Sequence, residues 1–260
     1  MSEPWPLVAT GSAARRAIRD PGPLAVSLAF YGVVASVLAT LWRTAAASHG
    51  GALAGYSSAQ FVWYIFTSEA SIMALNPRQI ELTGEDIATG AVAVELLRPA
   101  PVLGVRIATE VGRCLPRLMG CALLGAVFAT VMVGGPPRPA ALFLAAPSLV
   151  LAVTCNLTAQ HAFAGAAFWI RDARSTWFLY QKLVFVLGGM LLPLQVLPAW
   201  LHGVAAVLPF TAMAYAPARL ASGHLEPWLL ALQLGWLAVL AVVARTVFAA
   251  GERRLQVVGG

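Results

Sequence analysis

The chain has 260 residues, of which 59% are hydrophobic and 11% charged, and its mean hydropathy is +0.77. Soluble domains carry about 25% charged residues, so a water-facing surface built from this composition would expose large apolar patches; lipid is the solvent it fits. The formal net charge of +6 is scattered along apolar sequence rather than gathered in a basic soluble domain, which excludes a nucleic-acid binder.

In chain order, the first feature is a short basic stretch, 13–20, that ends at Pro21-Gly22-Pro23. It reads as an amphipathic helix lying in a membrane interface. Apolar runs follow at 24–42, 56–75, 118–133, 140–170, 177–192 and 228–248. A bilayer core needs about 20 helical residues, so these are six expected transmembrane spans, the third beginning nearer Cys114 and the fourth long enough to tilt or protrude. Ala45-Ala46-Ala47 after the first run resembles a signal-peptidase site, but the run is about 19 residues, longer than a cleaved leader's core, and Arg43 stands between. Retention as a span is the preferred reading.

A seventh stretch, 194–210, carries Pro198, Gly203 and Pro209. The positive-inside rule decides its status. With six spans and both termini cytoplasmic, only Arg43, Arg138 and Arg219 lie outside, and a seventh span would move Arg245, Arg253 and Arg254 outside as well. The stretch is therefore expected as broken, re-entrant helices at the outer side, where protein covers the freed backbone groups. No Gly/Ser linker divides the chain, so 1–260 reads as one all-α transmembrane domain.

The three cysteines, Cys114, Cys121 and Cys155, have neither metal-ligand spacing nor an even count for disulfides; they read as small buried thiols. The richest connection is 76–117, expected on the cytoplasmic side. Thr83 with Asp86 three residues on resembles a capping box, and Ile87, Ala91 and Val94 recur at helical spacing. Pro99 and Pro101 stop the helix. Such an element is either a docking helix or a plain connector on the headgroups. Pro116 frees the Gly112 carbonyl and makes 112–116 an expected joint.

The pattern Asp86-Ile87-x-x-Gly90 leading to Leu96-Leu97-Arg98-Pro99 resembles the loop between spans two and three of bacterial ABC type-two export permeases. The resemblance continues through Phe168-Trp169 before Arg171-Asp172, through Leu192-Pro193-Leu194, Leu197-Pro198-x-Trp200-Leu201 and Leu208-Pro209-Phe210, and through Pro217-Ala218. It covers nearly everything from the first span to Gly223. It implies a multi-pass subunit of the bacterial inner membrane, paired with a second permease copy or a homologous permease and carrying cytoplasmic ATP-hydrolysing subunits. The family's coupling helix falls on 84–97, which makes Thr83, Glu85, Asp86, Ile87, Gly90, Val94 and Arg98 candidates for ATPase coupling. ATP and Mg would be bound by the partner, with no cofactor and no catalysis in this chain. A P-loop needs G-x-x-x-x-G-K-[ST], and the single lysine, Lys182, follows Tyr180-Gln181 in a span, where it reads as a snorkelling side chain.

Candidates for the substrate pathway are Glu69, Tyr64, Ser68, Gln160 and Gln181. Glu69 is the chemical anomaly, since a charge within a span costs up to about 3 kcal/mol on insertion scales. It either lines a wet cavity or is hydrogen-bonded to a neighbouring helix. Asn156 and Gln160 share a helical face and read first as interhelical glue. The alternative function is a proton-coupled secondary transporter using Glu69, for which no inverted repeat is visible. A membrane-embedded enzyme is disfavoured because no H-E-x-x-H or G-x-S-x-G occurs and the histidines are scattered.

Overall fold

The computed structural model describes residues 5–96, 101–170, 173–191 and 193–258. Among them the fold is all-α apart from one two-residue hairpin. Four helices are long and apolar enough to cross a membrane: Pro21–Ser48, Val102–Val133, Pro139–Phe168 and Trp228–Arg254. Each sits on one of the long apolar runs, because a run of this length cannot be satisfied as a strand and in lipid must close its own backbone hydrogen bonds.

The N-terminal helix α1 (Trp5–Arg19) begins earlier than the basic stretch alone predicts and packs along the start of α6 (Val102–Val133). The contact is a backbone approach: a Cβ at Gly112 would stand 2.2 Å from the Thr10 carbonyl oxygen, and Thr10 Oγ1 donates to Ala108 O at 3.0 Å. Asp20 separates α1 from α2 (Pro21–Ser48), whose leading proline suits a first helical turn. Small residues on α2, Ala35, Ala39 and Ala46, are fully buried and let its backbone come close to its neighbours.

A hairpin of β1 (Ala52–Leu53) and β2 (Tyr56–Ser57) turns the chain into α3 (Ser58–Met73). Here the N-terminus carries a complete capping box: Ser57 accepts from Gln60 N, and the Gln60 side chain accepts from Ser57 N. Residues 61–66 and 68–71 of α3 are buried, the signature of a helix surrounded on all sides. It packs against α2, α6, α7 and α10. Tyr31 on α2 donates to Phe66 O at 2.8 Å, pinning this central helix.

The connection after α3 differs from expectation. The helix begins at Gln79 rather than Thr83, as α4 (Gln79–Ala88), because Asn76 Oδ1 accepts from Arg78 N at 3.1 Å and closes the turn in front of it. Thr83 is thus mid-helix and buried, within 3.3 Å of Gln79 Nε2, and is not a cap. Gly90, with φ +76°, ends the helix, and a separate short α5 (Val92–Leu96) follows. Pro116 lies inside an unbroken α6 assignment.

The helix α7 (Pro139–Ala164) continues as a 3₁₀ turn, Gly165–Phe168. It is glued to the last helix, α11 (Trp228–Val258), by Ser148 and Gln233, which exchange bonds of 2.8 and 3.0 Å. Between them α8 (Ala173–Leu187) stops short of the expected 192. Gly188 and Gly189 follow, the latter at φ +68°, and their carbonyls are taken by Tyr215 N (3.0 Å) and the Tyr64 hydroxyl. The stretch 193–217 is in short pieces: a 3₁₀ turn at Leu194–Val196, α9 (Ala199–Ala206), a 3₁₀ turn at Pro209–Ala212 and α10 (Tyr215–Ala221). Pro193, Pro198 and Pro209 precede or open three of these pieces, since none can donate to a preceding turn.

Candidate functional site

The central feature is a half-open cavity of about 630 Å³, a volume suited to a drug-sized molecule. One wall is α2, through Phe30, Val34 and Leu38; the opposite wall is α8, through Trp177, Tyr180, Gln181 and Phe185. These two helices stand apart rather than packing together, and the cavity fills the gap. Behind lie Glu69 of α3 with Asn156 and Gln160 of α7. The rim at one end is the turn 75–77 with Ile80 of α4 and Arg117 of α6.

Glu69 has 0% exposure, and neither carboxyl oxygen has a hydrogen-bond partner. The helix-to-helix bond that the structural reading requires is therefore not formed. Glu69 lies four residues before the end of α3, about 6 Å along the axis. Tyr180 donates to Asn156 Oδ1 at 2.6 Å, and Gln160 Nε2 donates to the same oxygen at 2.9 Å. Asn156 thus ties α8 to α7, while the Gln160 carbonyl oxygen stays unpartnered.

Of the pathway candidates, Glu69, Gln160 and Gln181 meet at the cavity wall. Tyr64 and Ser68 do not line it. The Tyr64 hydroxyl is spent on Gly189 O, and Ser68 donates to Met190 O at 2.9 Å, so both brace the end of α8 instead. The α2 residues, Trp177 and Tyr180 had no individual signal in the sequence. They are ordinary apolar or aromatic span residues, and only helix packing brings them together.

The second feature is the α4–α5 unit at the cavity's rim. Its inner stripe, Gln79, Ile80, Thr83, Gly84 and Ile87, is buried against α7, α8 and the turn after α7. Ile87 packs with Val92, Val102 and Phe248, so it is spent inside the molecule. Leu82, Glu85, Ala88, Thr89, Ala91 and Val94 face outward. Arg106 holds the unit from α6, reaching Asp86 at 2.9 Å and gripping Glu95 through two bonds of 2.7 and 2.9 Å. Sequence reading assigned Arg106 no partner. Arg98 lies outside the described residues.

At the opposite end, Arg219 of α10 donates to the Tyr56 hydroxyl at 2.7 Å and pairs with Glu226 at 2.9 Å, joining the hairpin to the pieces before α11. Burial raises the Tyr56 hydroxyl above its ordinary range, so it remains protonated there. Burial also lowers the neighbouring His224.

A helical bundle with four membrane-length helices around a half-open cavity defines the class as a multi-pass membrane protein. The chain matches the model of the ABC-2 family transporter proteins over residues 33–259; it belongs to that family and is a permease subunit of an ABC transporter. Among curated proteins none matches the chain.

Proposed function

We propose that this chain is the membrane-spanning subunit of a bacterial ABC exporter, that the cavity between α2 and α8 is its substrate entry, and that α4–α5 is where a separate ATPase subunit docks. The observation that carries this reading is the double role of α4. Leu82 and Glu85 face outward while Ile80 of the same helix forms part of the cavity rim. Force applied to the outer face by a partner has a direct route to the cavity.

In this reading α3 and α8 are the second and fifth of six spans. With 16 and 15 residues they reach about 24 and 22 Å at 1.5 Å per residue, less than the roughly 30 Å core. The broken pieces beyond α8 complete the depth on that side, with 210–218 buried in the protein and α9 largely exposed. Both termini and α4 are then cytoplasmic, in the inner membrane. A second permease copy or a homologue closes the half-open cavity, and ATP and Mg are bound by the ATPase partner. Glu69, Gln160 and Gln181 form the polar part of the pathway. The membership over residues 33–259 favours this over a proton-coupled secondary transporter.

The test is affinity purification of the tagged chain from its native membrane. An ABC ATPase subunit is expected to travel with it and to lose that association in Leu82→Arg, while the chain alone binds no nucleotide. Nucleotide binding by the isolated chain, or the absence of any ATPase partner, refutes the proposal.

A further inference from the structure

With Glu69 ionised, the buried polar atoms on the cavity wall that lack a partner are all hydrogen-bond acceptors. Among the described residues these are both oxygens of Glu69 and Oε1 of Gln160, on side chains at 0% and 8% exposure. Two of the donors nearby are committed elsewhere, Tyr180 to Asn156 and Trp177 Nε1 to Pro77 O at 2.7 Å, and the amides of Asn76, Asn156 and Gln181 supply the other N–H groups of the lining. Arg117 is the cation on the wall, at the rim, bonded to Leu75 O at 3.2 Å, and it forms no ion pair with Glu69 among the described residues. A buried carboxylate left without a partner is costly, and a ligand that supplies N–H donors and positive charge removes that cost. Most of the remaining lining is apolar and aromatic, with Phe30, Trp177, Tyr180 and Phe185 facing the same space. Aromatic faces favour cations held over an apolar body.

We infer that the cavity takes an amphipathic organic cation carrying ammonium N–H donors, with Glu69 as counter-charge, Gln160 Oε1 as second acceptor and the aromatic walls around its apolar body. Calling this ligand the cargo rests on the permease reading; its binding does not. A soluble amine and the ammonium headgroup of phosphatidylethanolamine share the chemistry.

The probe is dansylcadaverine, a primary ammonium on a fluorescent apolar body, measured against its neutral N-acetyl derivative and a dansyl carboxylate of similar length. Binding is followed by fluorescence to the full chain in nanodiscs of phosphatidylcholine and phosphatidylglycerol. The ammonium form is expected to bind saturably and at least about tenfold more tightly than the acetyl form, a gap of about 1.4 kcal/mol. Glu69→Gln should bring that ratio to about one while the neutral probe still binds, which also reports an intact cavity. Gln160→Leu should weaken the ammonium form severalfold. Replacing phosphatidylcholine with phosphatidylethanolamine separates the sources: competition assigns the site to a lipid ammonium, and unchanged affinity to a soluble amine, the ammonium chemistry holding in both. Equal binding of ammonium and acetyl forms, preference for the carboxylate, no saturable binding by any probe, or a ratio preserved in Glu69→Gln overturns the inference. Because no ATPase is present, these outcomes are independent of the co-purification that tests the permease reading.

Discussion

Replacing Arg106 with Gln should loosen the α4–α5 unit without disturbing the spans. The Arg106 side chain is 13% exposed, and its carboxylate partners Asp86 and Glu95 are 48% and 36% exposed. Solvent screens the Asp86 pair, which is worth about 0.2–1 kcal/mol. The two-bond grip on Glu95 is a charge-assisted fork worth about 1.5–3 kcal/mol. Truncation leaves both carboxylates able to reach water, so a net loss of about 2 kcal/mol is expected, a factor of roughly thirty in the local opening equilibrium. Hydrogen exchange of peptides covering 84–96 should accelerate by up to that factor, Gly90 at φ +76° interrupting the helix while Ile87 and Val92 stay packed on Val102 and Phe248. Peptides from α3 and α7 should keep wild-type protection. Adding Glu95→Gln to Arg106→Gln should cost little more, because the fork is already gone. In the assembled transporter the same variant should retain the ATPase subunit but lose transport per ATP hydrolysed. Protection of 84–96 unchanged within about twofold would refute the clamp.

Gly112→Ala places a methyl against the Thr10 backbone, 2.2 Å from its carbonyl oxygen; overpacking of this kind costs about 1–3 kcal/mol, and limited proteolysis should release α1 more readily. Ser68→Ala removes the donor to Met190 O and should cost about 1–3 kcal/mol for the stranded carbonyl, visible as a lower Tm in detergent. Dansylcadaverine binding should be retained there, since Ser68 does not line the cavity. Topology is checked with single cysteines, the native three being buried. Positions 51, 135 and 225 should react with an impermeant thiol reagent from outside, and 85, 175 and 253 only after the membrane is opened. External labelling at 253 would mean that 194–210 crosses the bilayer.

What could be read from sequence divides along physical lines. Apolar runs near 24–42, 118–133, 140–170 and 228–248 leave no alternative to long helices, and all four are present. The breaks in 193–217 follow from its prolines. The start of α4 was missed because the turn at Asn76 depends on one side-chain bond, weaker as a signal than the Thr83/Asp86 pattern that resembled a cap. The end of α8 was announced by Gly188-Gly189, a pair that marks helix termination, yet the apolar residues beyond it masked the signal. Arg106 meets partners 11 and 20 positions away in sequence, on other helices, so no local spacing reveals it. The cavity is the least legible feature, because six helices contribute to its lining. Glu69, Gln160 and Gln181, polar groups out of place in apolar spans, marked it in advance.

The same contacts set up a division between what is fixed and what can move around the cavity. Glu69 sits on a helix held on several sides: Tyr31 binds Phe66 O, Ser68 binds Met190 O, and the Ser57–Gln60 box closes its start. The rim is held differently. Trp177 of α8 donates to Pro77 O in the turn before α4, and Ile80 follows within the first turn of that helix. A displacement of α4 therefore shifts the rim through Ile80 and pulls on α8 through Trp177, moving one wall of the cavity. Its far end is restrained by the partly exposed Arg106 clamp and by Ile87 packed with Val92, Val102 and Phe248. The opposite end of the cavity's surroundings is latched by Arg219, Tyr56 and Glu226. A transporter that alternates access needs a fixed binding group and a rim that follows an external force, and Glu69 on its braced helix and Ile80 at the rim supply these two parts.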